Sequence, residues 1–188
     1  SELMAARTER GSGRVSIERI PYPVDQAVGV LENVRHLNLV GTVSPVAFFA
    51  YPDKPSLLAP SDCQIHSLAG PADDLLAALE WLADELGVSG VVPKLQVAQR
   101  PGLVSGALTV ESIGSAIGHL LPENAIICDE SVTSGRGLHP FTRGCAPHDW
   151  LSGTGGAIGR GLPEATGAAV ACPDRPVLCL SGDGSAMY

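Results

Sequence analysis

The chain has 188 residues and a net charge of −8, with 45% apolar and only 4% aromatic residues. That is enough for one large or two small domains, with cores filled by Ala, Val, Leu and Ile. The most basic stretch, Arg7 to Arg19, is interrupted by Glu9 and Glu18. Nucleic acid is therefore excluded as a partner, because no basic run is available to neutralise phosphates.

No apolar stretch reaches the roughly 18 residues of a membrane span, and there is no signal-peptide pattern, so neither export nor membrane insertion is expected. The cysteines (Cys63, Cys128, Cys145, Cys172 and Cys179) are odd in number and lack CxxC spacing, and several lie inside apolar runs. This predicts reduced, buried thiols in a cytosolic protein.

In chain order, residues 1–20 are polar and rich in Gly and Arg. Val24, Ala27, Val28 and Leu31 recur at helical spacing and predict a helix over 24–34. Leu37 to Gly41 reads as a short buried strand, and Leu57-Leu58 and Ile65 to Leu68 as further short strands. Phe48 to Tyr51 forms an apolar run stopped by Pro52. A helix is predicted over 73–86, with an apolar face of Leu75, Leu76, Leu79, Leu82 and Leu86 and with Gly87 as its C-cap. Residues 88–107 carry Gly90, Pro93, Pro101, Gly102 and Gly106 with little periodicity. A structureless stretch of about 20 residues is uncommon inside a domain, so this one reads as a linker.

The region after 107 alternates. A helix is predicted over 109–121, a strand over 125–128, a short strand near Trp150-Leu151, a helix whose first turn holds Pro163, and a last strand over 177–180. Unalternating apolar strands between helices imply a parallel α/β sheet. In such a sheet, functional loops gather at the strands' C-terminal ends. Two candidate segments fall there: Glu130-Ser131-Val132-Thr133-Ser134 and Gly182-Asp183-Gly184-Ser185. The glycines of the second let an anion approach the backbone, and Asp183 offers a hard oxygen to a divalent metal, or equally caps a helix. Between them lies the glycine cluster 153–161, which fails the GxGxxG pattern of dinucleotide sites. A nicotinamide dehydrogenase is disfavoured on that ground. The histidines (His36, His66, His119, His139 and His148) lack metal-ligand spacing, and only His139 and His148 flank the glycine cluster in sequence.

Three segments, in order, resemble the diphosphate-binding domain of thiamine-diphosphate enzymes, most closely the acetolactate synthase and benzoylformate decarboxylase group. They are Glu130 to Ser134, Gly156-Ala157-Ile158-Gly159-Arg160-Gly161-Leu162-Pro163-Glu164-Ala165, and Gly182 to Ala186. Residues 1–87, from Arg7 to Gly13 through Ala47 to Pro52, resemble the later half of the same family's central domain. No FAD signature accompanies them.

The resemblance implies an α/β fold of parallel-sheet, three-layer domains: a partial central domain over 1–87, a linker over 88–107, and the first part of the diphosphate-binding domain over 108–188. It implies thiamine diphosphate and Mg²⁺ as cofactors. Asp183 would ligate Mg²⁺, and Gly184 and Ser185 would contact the diphosphate. Thr133 and Ser134 would reach the diphosphate from the other side. The Gly156 carbonyl would accept from the aminopyrimidine, and Ile158 would be the apolar wedge under the bent cofactor.

By the same resemblance, the family's motif continues to an Asn that supplies the next Mg²⁺ ligand, and a separate domain supplies a Glu to the cofactor ring. The chain is therefore expected to be a fragment of a parent about three times longer, itself without turnover. The parent would decarboxylate or carboligate 2-keto acids as a homodimer or homotetramer. The alternative is a catalytically silent interaction or assembly module that keeps the fold.

Overall fold

The computed structural model describes residues 6–133, 135 and 137–188, and its backbone falls into two units. One is Glu18–Val92, and the other joins the described residues up to Ile17 to Pro93–Tyr188. This division differs from boundaries at 87 and 108. Residues 93–107 are tied into the second unit, where Gln96 exchanges backbone bonds with Gly13 and Arg14, and the Gln99 N–H donates to the Gly144 carbonyl at 2.7 Å. The Gly/Pro-rich composition there reflects a strap that hugs other backbone.

The first unit holds α1 (Val24–Leu31), β2 (His36–Val40), β3 (Gln64–Ala69) and α2 (Leu75–Glu85). The two strands are parallel, with Leu37 opposite Ile65. Val24, Ala27 and Leu31 bury one face of α1 against Leu58. Leu57 makes only an isolated bridge to Val46, so 57–58 is not a strand. α2 begins where Asp74 accepts from the Ala77 N–H. It ends with the Gly87 and Val88 N–H groups returning to Asp84 and Ala83, a Schellman closure.

The expected apolar face of α2 is not a buried one. No residue of the helix is buried, and Leu76 is 66% exposed. Periodicity reports the face a helix is built to cover, and a two-stranded sheet is too narrow to cover it.

The second unit carries β1 (Arg7–Arg10), α3 (Val110–Leu120), β4 (Ala125–Glu130), β5 (His148–Ser152), α4 (Gly161–Ala171) and β6 (Val177–Ser181). The sheet order is β1-β5-β4-β6. β4 runs parallel to both neighbours, and β1 is antiparallel at one edge. Ala125 to Cys128 are all buried, because β4 is central and covered on both faces. One face packs Ile127 and Trp150 against Val110 and Ile117 of α3, and the other packs Ile126 and Cys128 against Ala165 and Ala168 of α4. These are the expected three α/β/α layers.

α3 starts with a reciprocal capping box between Thr109 and Ser112. It needs a glycine at 118, where a Cβ would stand 2.5 Å from the Phe141 carbonyl oxygen and 2.7 Å from Pro101. Among the described residues, no helix is long and apolar enough to cross a membrane. All five cysteines are free thiols.

Candidate functional site

Three parallel strands end together. Glu130 lies opposite Ser181, and Asp129 opposite Ser152. The segments that follow β4, β5 and β6 therefore leave from one edge of the sheet, the carboxyl edge where α/β proteins place their ligands. Thr133 lies on the first segment, Gly156 and Ile158 on the second, and Asp183, Gly184 and Ser185 on the third. Ser134 lies outside the described residues.

The first segment is organised by Asp129, whose carboxylate accepts from the Ser131 N–H at 3.0 Å and from its hydroxyl. Thr133 is exposed. The second segment runs from Gly153 to Gly159 and is mostly exposed, with Ile158 at 57%. Its apolar side chain thus stands at the surface with no core to explain it. The third segment turns sharply. The Ala186 N–H bonds the Gly182 carbonyl, so the N–H groups of Asp183, Gly184 and Ser185 precede the first bond of the turn. Asp183 is exposed, and no hydrogen bond or ion pair with a described residue holds its carboxylate. A Cβ at Gly159 would fall 2.5 Å from Tyr188 Cβ, so the second and third segments meet.

Two residues outside the expected site stitch this edge together. Glu130 is 6% exposed, and its two carboxylate oxygens accept from the backbone N–H groups of Arg160 and Gly161, each at 2.9 Å. The Arg160 guanidinium reaches the Asp129 carbonyl and the Glu164 carboxylate. The group that meets a helix start here is the Glu130 carboxylate. Its sequence signal is faint: a glycine at 161, where a Cβ would sit 2.7 Å from Glu130 Oε2. Pro163 is third in α4, still within the turn whose N–H groups lack helical acceptors.

This arrangement decides where an anion can bind. The N-terminus of α4, with its positive dipole end, already holds an internal carboxylate. The segment after β6 places a carboxylate that no described residue holds beside backbone N–H groups, a donor set suited to a hard cation that carries an anionic ligand. Among the described residues, no three His, Cys, Asp or Glu side chains gather as a metal cage. Asp183 would thus need further ligands from the anion, backbone or water.

Thiol chemistry is disfavoured at this edge. Burial, with Glu164 adding to it, pushes Cys128 up to about 11, and burial likewise raises Cys179. His148 does not accompany the glycine cluster in space. It opens β5 at the opposite, amino edge, 4% exposed, with Nδ1 against the Ala146 carbonyl at 2.8 Å. His139 packs edge-on to the buried Trp150, at 5.0 Å between ring centroids.

Residues 134–188 match the family described as "Thiamine pyrophosphate enzyme, C-terminal TPP binding domain". Over 182 residues, 96% of this chain, the sequence is 53% identical to the Mycobacterium tuberculosis protein named "Putative acetolactate synthase large subunit IlvX", of which it spans 35%. It is 31% identical over 117 residues to the benzoylformate decarboxylase of Pseudomonas aeruginosa, covering 61% of this chain and 22% of that protein. The solved structure of "a putative thiamin diphosphate-dependent enzyme" from Mycobacterium smegmatis superposes with a TM-score of 0.61 at 22% identity, over 90% of this chain and 36% of that one, a likeness of fold. The chain thus spans 35% of one curated relative and 22% of the other. Residues 134–188 thus resemble a thiamine pyrophosphate enzyme C-terminal domain, and the chain is similar to parts of acetolactate synthase large subunits and of benzoylformate decarboxylase.

Proposed function

We propose that this chain is the portion of a thiamine-diphosphate- and Mg²⁺-dependent enzyme that anchors the cofactor's diphosphate, and that its parent acts on 2-keto acids by decarboxylation or carboligation. In this reading Glu18–Val92 derives from the central domain. The parent is cytosolic and assembles as a homodimer or homotetramer, and the 188-residue chain alone does not turn over. The observation that carries the proposal is the Asp183 carboxylate, which no described residue holds. It stands at a carboxyl edge where the competing anion site, the start of α4, is already filled by Glu130.

Asp183 would offer its carboxylate to Mg²⁺, with Gly184 and Ser185 supplying N–H and hydroxyl donors to the diphosphate. Thr133 and Ser134 would approach the diphosphate from the segment after β4. The Gly156 carbonyl would accept from the aminopyrimidine, and the exposed Ile158 would support the cofactor's bent shape. Bound thiamine diphosphate supplies the carbon nucleophile and the electron sink of 2-keto acid chemistry.

Calorimetric titration of the chain with thiamine diphosphate, with and without Mg²⁺, tests this. The expected result is Mg²⁺-dependent binding that Asp183→Ala abolishes. Equal affinity in the variant overturns the metal assignment. A second reading, a silent assembly module, draws support from the single carboxylate donor and from the uncovered apolar face of α2. Such a module would ignore the cofactor at every Mg²⁺ concentration.

A further inference from the structure

We infer that Glu130 is a positioning residue for the Gly153–Gly159 segment, setting where Gly156 and Ile158 stand relative to the diphosphate anchor; its consequence for the cofactor rests on the function proposed above. The segment cannot define its own conformation. It contains four glycines, three of them at positive φ (Gly155 at 66°, Gly156 at 71°, Gly159 at 86°), and most of it is exposed. What holds it must lie at its ends.

Both ends converge on one clasp. A Cβ at Gly153 would fall 2.4 Å from Arg160 Nε, so the Arg160 side chain crosses the start of the segment while its backbone forms the end. Arg160 in turn is held from β4, its guanidinium by the Asp129 carbonyl and its N–H by Glu130. Glu130 is the last residue of β4, so the clasp refers the segment to the central strand of the sheet.

A carboxylate 6% exposed is costly unless its oxygens are paired, and here each oxygen has one backbone N–H. Glutamine is nearly the same shape but replaces one acceptor with an NH₂ donor that faces an N–H. Glu130→Gln therefore opens one side of the clasp without emptying the space.

Three variants separate positioning from bulk stability: Glu130→Gln, Glu130→Asp, which keeps the charge, and Gly161→Ala as a steric probe. Hydrogen exchange by mass spectrometry reads the clasp without any ligand. Glu130→Gln is expected to raise exchange of the Arg160 and Gly161 amides by about tenfold, the loss of one charge-assisted hydrogen bond, while β4 and β6 stay protected; Glu130→Asp is expected to restore part of the protection. With Mg²⁺ present, affinity for inorganic pyrophosphate should stay within about twofold, because that ligand needs the segments after β4 and β6 but not the glycine segment. Affinity for thiamine diphosphate should fall about tenfold, because its ring needs the glycine segment too.

Unchanged exchange at Arg160 and Gly161 in Glu130→Gln overturns the inference whatever the cofactor does. A uniform rise across the second unit, or equal losses for both ligands, overturns it in favour of a structural role. Raised exchange at Arg160 and Gly161 in a chain whose wild type binds no thiamine diphosphate supports the clasp and overturns the cofactor reading instead.

Discussion

The two edges of the second unit's sheet each bury a carboxylate, and they satisfy it by different means. At the carboxyl edge, Glu130 is met by backbone N–H groups from one helix start. At the amino edge, Asp149, 5% exposed, is met by side chains: Arg7 at 2.9 Å and Arg175 at 2.7 Å. The amino edge also has room for a ligand, a cavity of about 330 Å³ lined by Arg7, Arg14, Glu9, Asp149 and Arg175. Yet most of its charges are spent on one another, since Glu9 pairs with both Arg7 and Arg14. The carboxyl edge leaves Asp183 without a partner among the described residues. A cavity at the amino edge is therefore ringed by charges already paired, whereas the Asp183 carboxylate at the carboxyl edge is held by no described residue. A site that must gather a cation and an anion needs unspent charge.

The largest expected effect lies at the amino edge. Asp149→Asn leaves Arg175 without its counter-charge and Arg7 with only the exposed Glu9. Arg7 is 59% exposed and rehydrates, whereas Arg175 is 25% exposed and does so less. The expected cost is about 2–3 kcal/mol in urea unfolding, below the value for a fully buried pair. A cost under about 0.5 kcal/mol would erase the contrast between the edges.

Acid should separate the same edge into two steps. Burial, with the nearby Arg10 charge adding to it, holds His148 below its ordinary value, against the Ala146 carbonyl and Asp149, which act to raise it. The unfolded chain then binds the proton more readily than the folded one, so stability falls as pH drops from about 6.5 towards the folded value. Burial alone would raise Asp149, but hydrogen bonds from Arg7 and Arg175 outweigh it and hold the carboxyl below its ordinary value. Its contribution is present above about pH 4 and is lost as pH falls through the folded value. Thermal melts across pH should show His148→Gln removing the upper step and Asp149→Asn the lower one. A single acid transition unaltered by either variant would break this account.

A smaller effect is expected at the carboxyl edge. Alanine normally stabilises a helix relative to glycine by up to about 1 kcal/mol. Gly161→Ala should instead destabilise by about 1–2 kcal/mol, because its Cβ would meet the Glu130 carboxylate at 2.7 Å. A stabilising outcome would mean that the clasp yields freely.

These features differ in how far the sequence discloses them. β4, β6 and α3 are legible because apolar runs and helical spacing are local signals. β1 is not. Arg7-Thr8-Glu9-Arg10 has no apolar alternation, and it is a strand only because β5, about 140 positions later, offers an open edge. The strap over 93–107 is hidden for the same reason. α2 is legible as a helix, but not in what its leucines face. At the carboxyl edge, Gly and Asp patterns mark the second and third segments, and position after a strand marks the first. Glu130 and Arg160 go unmarked as a pair, because their shared bonds run through backbone N–H and carbonyl groups, which every residue type carries.

The smallest stability effect belongs to the residue with the largest proposed role. Asp183 is exposed and makes no bond to a described residue, so Asp183→Ala should change the unfolding midpoint by no more than about 0.5 kcal/mol equivalent. Its removal also deletes one negative charge from a chain of net charge −8, which by itself slightly favours the folded state. If Asp183 contributes nothing to stability, the proposed binding role accounts for a carboxylate placed between two glycines at the carboxyl edge. If Asp183→Ala unfolds the second unit, the carboxylate is structural, and the distinction between a spent amino edge and an unspent carboxyl edge fails. If it leaves stability unchanged and removes Mg²⁺-dependent binding of thiamine diphosphate, the distinction becomes the functional one.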